Sequence, residues 1–196
     1  LQLFGPELPR TLVDELTYPE QSPNHSYGRQ PGTTPAVWSY FAEATPSGAN
    51  GLSTITGKVD EVHFSVERGY FNAPFNLSLA CRTPGAEIRY TLNGSPPTPT
   101  NGVVYVAPIP VTATRIVRAA AFAPRQLPSR VRTHTYLMNL ANNRRLLPVL
   151  SLVTATNHLY GRNGIMESSP RNTTKHGVAW ERPVSVEWIR PEDNGG

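Results

Sequence analysis

Proline is spread along almost the whole chain and restricts its fold more than any other feature. The 196 residues include 20 prolines and 15 glycines. Because proline lacks a backbone N–H and breaks helix interiors, little continuous sequence remains for long helices. Short strands joined by fixed turns suit this spacing, and the 38% of hydrophobic residues suffice for a packed core. We therefore expect an all-β protein.

Apolar and polar residues alternate repeatedly between residues 58 and 138. The runs 62–66, 75–79 and 88–92 show this most clearly. Each run places its apolar side chains on one face of a strand. About seven strands in about 80 residues are typical of an immunoglobulin/fibronectin-III-like β-sandwich, which is the fold we expect here.

Proline positions also predict the role of individual strands. The segment from Val103 to Val111 is expected to be one edge strand, since Pro108 and Pro110 cannot donate to a sheet on both sides. Residues 115–122 are also predicted as a strand, with Pro124 ending the run. Asn93-Gly94 follows the third alternating run, and both residues tolerate a positive φ, so they predict a tight structural turn.

The regions on either side of the predicted sandwich have less regular patterns. Residues 1–57 are rich in turn residues and end in a linker. Residues 139–196 contain a polar connector and two apolar strands, 147–153 and 183–189. Two strands cannot form an independent core, so we expect this tail to be the start of another domain that is truncated at the end of the chain.

The sequence contains none of the standard catalytic or nucleotide-binding motifs. Its five histidines are far apart in sequence, and we expect no catalytic residue, no cofactor and no metal site. Two carboxylate pairs are the candidates for glycoside chemistry: Asp60 with Glu61, at a strand start where solvation is expected, and Glu181 with Glu187. The alternation of Glu187 with apolar neighbours predicts that it lies on the polar face of a strand.

Four aromatic residues are the best candidates for a ligand or interface site: Tyr70, Phe71, Trp38 and Tyr40. Tyr70 and Phe71 follow Gly69 in a predicted loop. If exposed, these rings could stack on sugars; alternatively they pack between modules. Both interpretations stay open at this point.

Charge and apolar runs limit the range of partners. The net charge is +4, but the only tight basic pair is Arg144-Arg145, so we expect no nucleic-acid binding. No run approaches the roughly 18 to 20 apolar residues that cross a bilayer, and we expect no membrane insertion. The single cysteine, Cys81, lies in an apolar run and is expected to be a buried small hydrophobe.

The central region resembles the chitobiase/β-hexosaminidase C-terminal-type module. The residues that carry this resemblance are Gly69-Tyr70-Phe71, the run from Ala86 to Thr98, and Arg118-Ala119-Ala120-Ala121. Asn93 stands where that family usually has Asp, and either residue suits the turn. The resemblance implies residues 58–138 as the module.

Each flanking region resembles a further family. Asn24 to Arg29, Trp38 and Thr45 to Asn50 are similar to the end of a lamin-tail domain, which implies that residues 1–57 are the C-terminal end of such a domain plus a linker. Leu147-Pro148-Val149 and Glu181 to Glu187 are similar to the opening of CotH-like domains. Residues 139–196 would then be a linker and the truncated start of a CotH-like domain.

Together these resemblances imply a bacterial protein at the cell surface or outside the cell. The chain would be a non-catalytic module that spaces or presents a downstream CotH-like domain. Its partners would be other domains of the same polypeptide, a polysaccharide or a cell-surface protein. Two alternatives remain: a carbohydrate-binding accessory module, and the N-terminal part of a CotH-like protein kinase whose catalytic residues lie downstream.

Overall fold

A computed structural model describes residues 1–169 and 171–192, and the chain divides into two compact units. The first unit is Leu1–Gly57, and the second begins at Lys58. The first consists of two antiparallel strand pairs, β1 with β2 and β3 with β4. Their bounds are β1 (Gln2–Phe4), β2 (Leu12–Glu15), β3 (Ser26–Arg29) and β4 (Trp38–Phe41).

Most of the remaining strands belong to a sandwich. They are β5 (Gly57–Lys58), β6 (His63–Phe64), β7 (Gly69–Phe71), β8 (Phe75–Leu77), β9 (Leu79–Ala80), β10 (Glu87–Thr91), β11 (Val103–Val104), β12 (Ile109–Val111), β13 (Arg115–Phe122), β14 (Gln126–Leu127) and β15 (Arg132–Met138). A hairpin follows, formed by β16 (Val149–Val153) and β17 (Ser185–Ile189). The helices are short: α1 (Asn142–Arg145), α2 (Thr156–Leu159) and the 3-10 turns Asn172–Thr174 and Val178–Trp180.

One layer of the sandwich is a five-stranded sheet in the order β11-β10-β13-β15-β7. Its neighbours are antiparallel except β7 and β15, which run parallel with Gly69 opposite Tyr136. The other layer contains the pairs β8–β12 and β6–β9. This arrangement confirms the predicted all-β, immunoglobulin-like fold.

The main hydrophobic core lies between these two layers. Its buried members come from both layers and from the segment between β5 and β6: Val59, Val62, Phe64, Leu77, Leu79, Ile109, Val111, Val117, Ala119, Ala121, Tyr136 and Met138. The Tyr136 hydroxyl donates to the Val66 carbonyl at 2.8 Å, so its polar tip is satisfied. Burial of the ring raises the pKa of Tyr136.

The strands are shorter and more numerous than the sequence predicts. The single edge strand expected from Val103 to Val111 is two strands, β11 and β12, with different partners. The run 75–79 is likewise divided at Ser78, where β8 pairs with β12 and β9 pairs with β6. In the third run the alternation stops early: Thr91 is buried and Leu92 is 41% exposed, because β10 ends at Thr91.

The hairpin of β16 and β17 lies against the outer face of β15. A second small core forms there from Tyr70, Leu137 and Ile189, with Leu140 and Val149 packed around it. Strand β15 is therefore covered on both faces, and every residue from Thr133 to Met138 is buried. The division of residues 58–196 into a sandwich and the start of a further domain stays a prediction.

The other face of this hairpin is apolar and exposed. Leu150 lies opposite Trp188, and Leu152 lies opposite Val186. All four side chains are more than half exposed, with Trp188 at 53%. Within residues 1–169 and 171–192, no helix has the length and apolar character needed to cross a membrane.

Candidate functional site

A buried carboxylate joins the hairpin to the sandwich. Glu187 on β17 is 3% exposed and accepts two hydrogen bonds from Thr135 on β15. The Thr135 backbone N–H donates to Oε1 at 3.3 Å, and its hydroxyl donates to Oε2 at 2.5 Å. Because the Thr135 hydroxyl proton is used in this way, the Ser151 hydroxyl, 2.8 Å away on β16, donates to Thr135 Oγ1. We call Thr135, Ser151 and Glu187 the clamp.

Burial dominates the electrostatics of the clamp. It raises the pKa of Glu187, since a desolvated carboxylate is less stable than its protonated form. The hydrogen bonds from Thr135 and the charge of Arg68 act in the opposite direction and lower that pKa. Arg68 is 4.0 Å from Oε1 and is itself 42% exposed, so it offsets the buried charge only weakly.

Tyr70 lies beside the clamp and takes part in the same contact. It is in strand β7, so the predicted loop at this position was wrong. Its ring is buried with Leu137 and Ile189, and its hydroxyl donates to the Leu147 carbonyl at 2.6 Å. A ring held in this way cannot stack on a ligand, and of the two interpretations of Tyr70 only the packing one fits.

The other aromatic candidates lie in different surroundings. Phe71 is partly exposed but packs in the core, 4.7 Å from Phe75 and 5.7 Å from Tyr136 between ring centroids. In the first unit, Tyr40 is buried and its hydroxyl donates to the Glu20 carbonyl. Burial, with Tyr27 and Glu20 nearby, raises the pKa of Tyr40.

Trp38 is half-buried and belongs to a stacked cluster on β3 and β4. Its ring is 5.9 Å from that of Tyr27 at an interplanar angle of 15°. The guanidinium of Arg29 lies 5.0 Å from the Trp38 ring centroid, and Arg29 also pairs with Asp14 at 2.5 Å. Use of Trp38 as a ligand platform stays a prediction.

Asn93 and Gly94 lie in the connection that follows β10. Gly94 has a φ of +79°, and the Asn93 side-chain oxygen accepts hydrogen bonds from the backbone N–H and hydroxyl of Ser95. A Cβ at Gly94 would be 2.5 Å from the Thr154 carbonyl oxygen. The Gly94 carbonyl accepts a hydrogen bond from Arg118 at 2.7 Å. Glycine is thus required for both its dihedral angle and its close approach to Thr154.

A groove of about 450 Å³ opens at one edge of the sandwich. We call it the edge groove and define it by its polar lining residues, Asp60, Glu61, His63, Glu67, Arg82 and Arg132. Arg132 on β15 donates to Glu61 at 2.7 Å, so an ion pair connects β15 to the segment between β5 and β6. The Cys81 thiol also lines the groove and donates to the Asp60 carbonyl at 3.3 Å. Cys81 is only half-buried, which corrects the expectation of a buried residue.

His134 lies next to the edge groove and is 1% exposed. Its ring stacks on Phe64 with 4.1 Å between centroids, and neither ring nitrogen makes a hydrogen bond of ordinary geometry within the described residues. Burial lowers the pKa of His134 to about 4. Glu67, 3.7 Å from Nε2, and the Val66 backbone raise that pKa, while Arg132 and Arg68 lower it further. At neutral pH the ring is therefore uncharged.

The middle of the chain matches the model of a known protein family. Residues 66–133 match the family model of the chitobiase/beta-hexosaminidase C-terminal domain. The match begins just before β7 and ends within β15, so it covers most of the strands of the sandwich. No curated protein and no solved structure matches the chain.

The match supports the prediction for the central region but not those for the two flanking regions. The resemblance of the central region to the chitobiase-type module is confirmed, and in chitobiase this C-terminal domain is an accessory, non-catalytic domain. The match does not reach residues 1–57 or 139–196, so the lamin-tail and CotH-like resemblances are not supported by it.

The two candidate carboxylate pairs differ in their exposure to solvent. Glu181 is exposed whereas Glu187 is buried in the clamp, and Asp60 and Glu61 are both exposed at the edge groove. Among the residues that the structure describes, no group of three or more His, Cys, Asp or Glu side chains is placed to hold a metal ion.

Sequence reasoning missed the clamp, His134 and the ion pair of Arg132. Thr135 and Ser151 carry no motif, and His134 occupies a strand position where a polar residue suggests exposure. The signal that could have found the clamp is the carboxylate of Glu187 between the apolar residues Val186 and Trp188 of a predicted strand. Such a residue needs a partner wherever its face is covered.

Proposed function

We propose that this chain is a non-catalytic extracellular module that holds the segment following the sandwich in a fixed orientation, and so spaces or presents what that segment belongs to. The family match supports the non-catalytic part, since it describes an accessory domain. The clamp supports the orienting part and is the observation that carries the proposal.

The clamp fixes orientation because its bonds are directional and buried. Three strands contribute to it: β15 of the sandwich and both strands of the hairpin. Tyr70 adds a fourth connection from β7 to Leu147, just before β16. A buried carboxylate that lost its hydrogen-bond donors would be strongly destabilised. The hairpin therefore has one preferred orientation on the sandwich. The small core around Ile189 stabilises the same orientation by burying apolar side chains between the hairpin and the sandwich.

The proposal is tested by measuring whether sandwich and hairpin move as one body. Backbone ¹⁵N relaxation should give β13 and β17 the same rotational correlation time. The double variant Thr135→Val/Glu187→Ala should give the hairpin a shorter correlation time than the sandwich. Independent tumbling of the hairpin in the unaltered protein would refute the orienting role.

The non-catalytic part needs its own assay. We expect no hydrolysis of chromogenic N-acetylglucosaminides or glucosides above the buffer rate. Turnover that is lost on substituting Asp60 or Glu61 would overturn this part. The alternative of a CotH-like kinase has no support from the family match, and nucleotide-dependent phosphorylation by this chain would revive it.

A carbohydrate-binding accessory module is the second candidate function. The matching family takes its name from chitobiase and beta-hexosaminidase, which supports a glycan as the ligand class. Binding of the chain to insoluble chitin and cellulose, compared with an unrelated β-sandwich of similar charge, tests it. Absence of binding to any polysaccharide at high protein concentration would leave the orienting role alone.

A further inference from the structure

We propose that the edge groove is a binding site for a neutral oligosaccharide. This inference rests on the carbohydrate-binding candidate and goes further by giving that function a location and a ligand class. It also moves the ligand site away from Tyr70, whose ring is buried against the hairpin. The groove's shape, its hydrogen-bonding groups and its charge balance carry the argument.

The size of the groove fits a small ligand rather than a single ion or water. Its volume of about 450 Å³ is within the range of roughly 300–1,000 Å³ found for small-molecule sites. It is partly open to solvent. Ala80 is exposed and supplies an apolar part of the lining, against which a C–H face of a sugar ring can pack.

The polar lining offers donors and acceptors together. Asp60 and Glu67 present exposed carboxylates that accept hydrogen bonds, and Arg82 presents an exposed guanidinium that donates. A sugar hydroxyl both donates and accepts, so one saccharide can satisfy both kinds of group. Hydrogen bonds to charged groups are stronger than those between neutral partners, which suits a shallow site.

The charge balance favours a ligand without negative charge, since Asp60 and Glu67 outnumber Arg82 once Glu61 is paired with Arg132. The lining contains three carboxylates and two guanidiniums, and Glu61 and Arg132 already neutralise each other as an ion pair. An anionic glycan would be repelled by Asp60 and Glu67, and a cationic one would meet Arg82.

Cys81 provides a reporter inside the groove. It is the only cysteine of the chain, it lines the groove, and it is partly exposed. The experiment measures the rate of Cys81 alkylation by iodoacetamide with soluble chito-, cello- and xylo-oligosaccharides, and with oligogalacturonate as the anionic probe. Calorimetry on the same samples measures binding independently of its location.

A neutral oligosaccharide that binds in the groove should slow alkylation about tenfold at ten times its Kd, because only the unoccupied fraction reacts. The variants Arg82→Gln and His63→Ala should weaken binding about tenfold or more if each loses a charged or polar contact. Tyr160→Ala is the matched control, since Tyr160 is an exposed aromatic residue that does not line the groove. Thermal melting of each variant checks that the fold is kept.

The outcomes separate this inference from the function on which it rests. Calorimetric binding with an unchanged Cys81 rate, and unchanged affinity in both groove variants, would refute the groove while leaving carbohydrate binding intact. No binding of any oligosaccharide at millimolar concentration would refute both. Stronger protection by oligogalacturonate than by neutral sugars would overturn the neutral ligand class.

Discussion

Thr135 and Glu187 form a two-point contact in which one residue supplies both donors and the other both acceptors. The backbone N–H and the hydroxyl of Thr135 bond to the two carboxylate oxygens of Glu187, across two segments separated by a long connection. These two bonds connect β15 of the sandwich to β17 of the hairpin, one through a main-chain group and one through a side chain. Loss of either partner therefore leaves buried polar groups unsatisfied.

We expect Glu187→Ala to lower the free energy of unfolding by about 1–3 kcal/mol, because the two Thr135 donors would lose their acceptor. Thr135→Val should show a coupling energy of about 0.5–3 kcal/mol with it in a double-mutant cycle. Chemical denaturation measures both. Glu181→Ala, at an exposed carboxylate on the same segment, is the control and should change stability by less than about 0.5 kcal/mol. Additive effects of the two clamp variants would contradict the contact.

The two faces of β17 should respond in opposite ways to truncation. Ile189 is fully buried and Val186 is 59% exposed. Ile189→Ala should cost about 2–5 kcal/mol by leaving a cavity, whereas Val186→Ala should stay within about 0.5 kcal/mol. Urea denaturation of the matched pair measures the difference. A larger loss at Val186 would mean that the hairpin presents its other face to the sandwich.

Gly94 and Gly85 form a natural pair for separating dihedral strain from steric contact. Both have a positive φ, +79° and +71°, but only at Gly94 would a Cβ meet another atom, the Thr154 carbonyl oxygen. Gly85→Ala should cost about 1–2 kcal/mol from its dihedral angle alone. Gly94→Ala should cost about 1–3 kcal/mol more, because the Thr154 backbone must move. Equal melting temperatures for the two variants would exclude the close approach.

The uncharged state of His134 makes stability depend on pH. Its pKa is lowered from 6.5 to about 4 in the folded chain, so the neutral form favours folding. This contribution is present above pH 6.5 and is lost as the pH falls towards 4, by up to about 3 kcal/mol. His134→Phe should flatten that part of the profile, measured by denaturation from pH 4 to 7.5. Glu187, whose raised pKa acts in the opposite direction, is present in both proteins and cancels in the difference.

A His134→Phe profile with the same slope as the unaltered protein would assign the pH dependence to another group. Glu67→Gln is a useful second variant, since Glu67 raises the pKa of His134. Removing that charge should lower the pKa further. The loss of stability should then extend to a lower pH.

The sequence predicted the β-class and much of the core, because alternation fixes which side chains share a strand face. The inward positions of Val62, Phe64, Leu77 and Leu79 follow from that rule and are confirmed. The strand at 115–122 was also correct, and its alanines fit because β13 lies in the middle of the sheet. Local pattern carries this information without knowledge of the partners.

The same rule was wrong for β17. Alternation placed Glu187 on the polar face, where solvent would be expected, yet that is the face that packs on the sandwich. The reason is tertiary: Thr135 and Ser151 provide partners that no local pattern reveals. The edge groove was equally hidden, since Glu61 and Arg132 meet only after the chain has folded.

The parallel pairing of β7 with β15 joins an early strand of the sandwich to its last one. Gly69 to Phe71 leaves the ribosome early, but its partner from Tyr136 to Met138 is the last strand of the sandwich to be made. Until then the edge of β7 lacks the strand it pairs with in the folded sheet, and pairings between distant segments form slowly. A nascent chain stalled before β15 would thus display an open sheet edge, which is the kind of surface that chaperones protect.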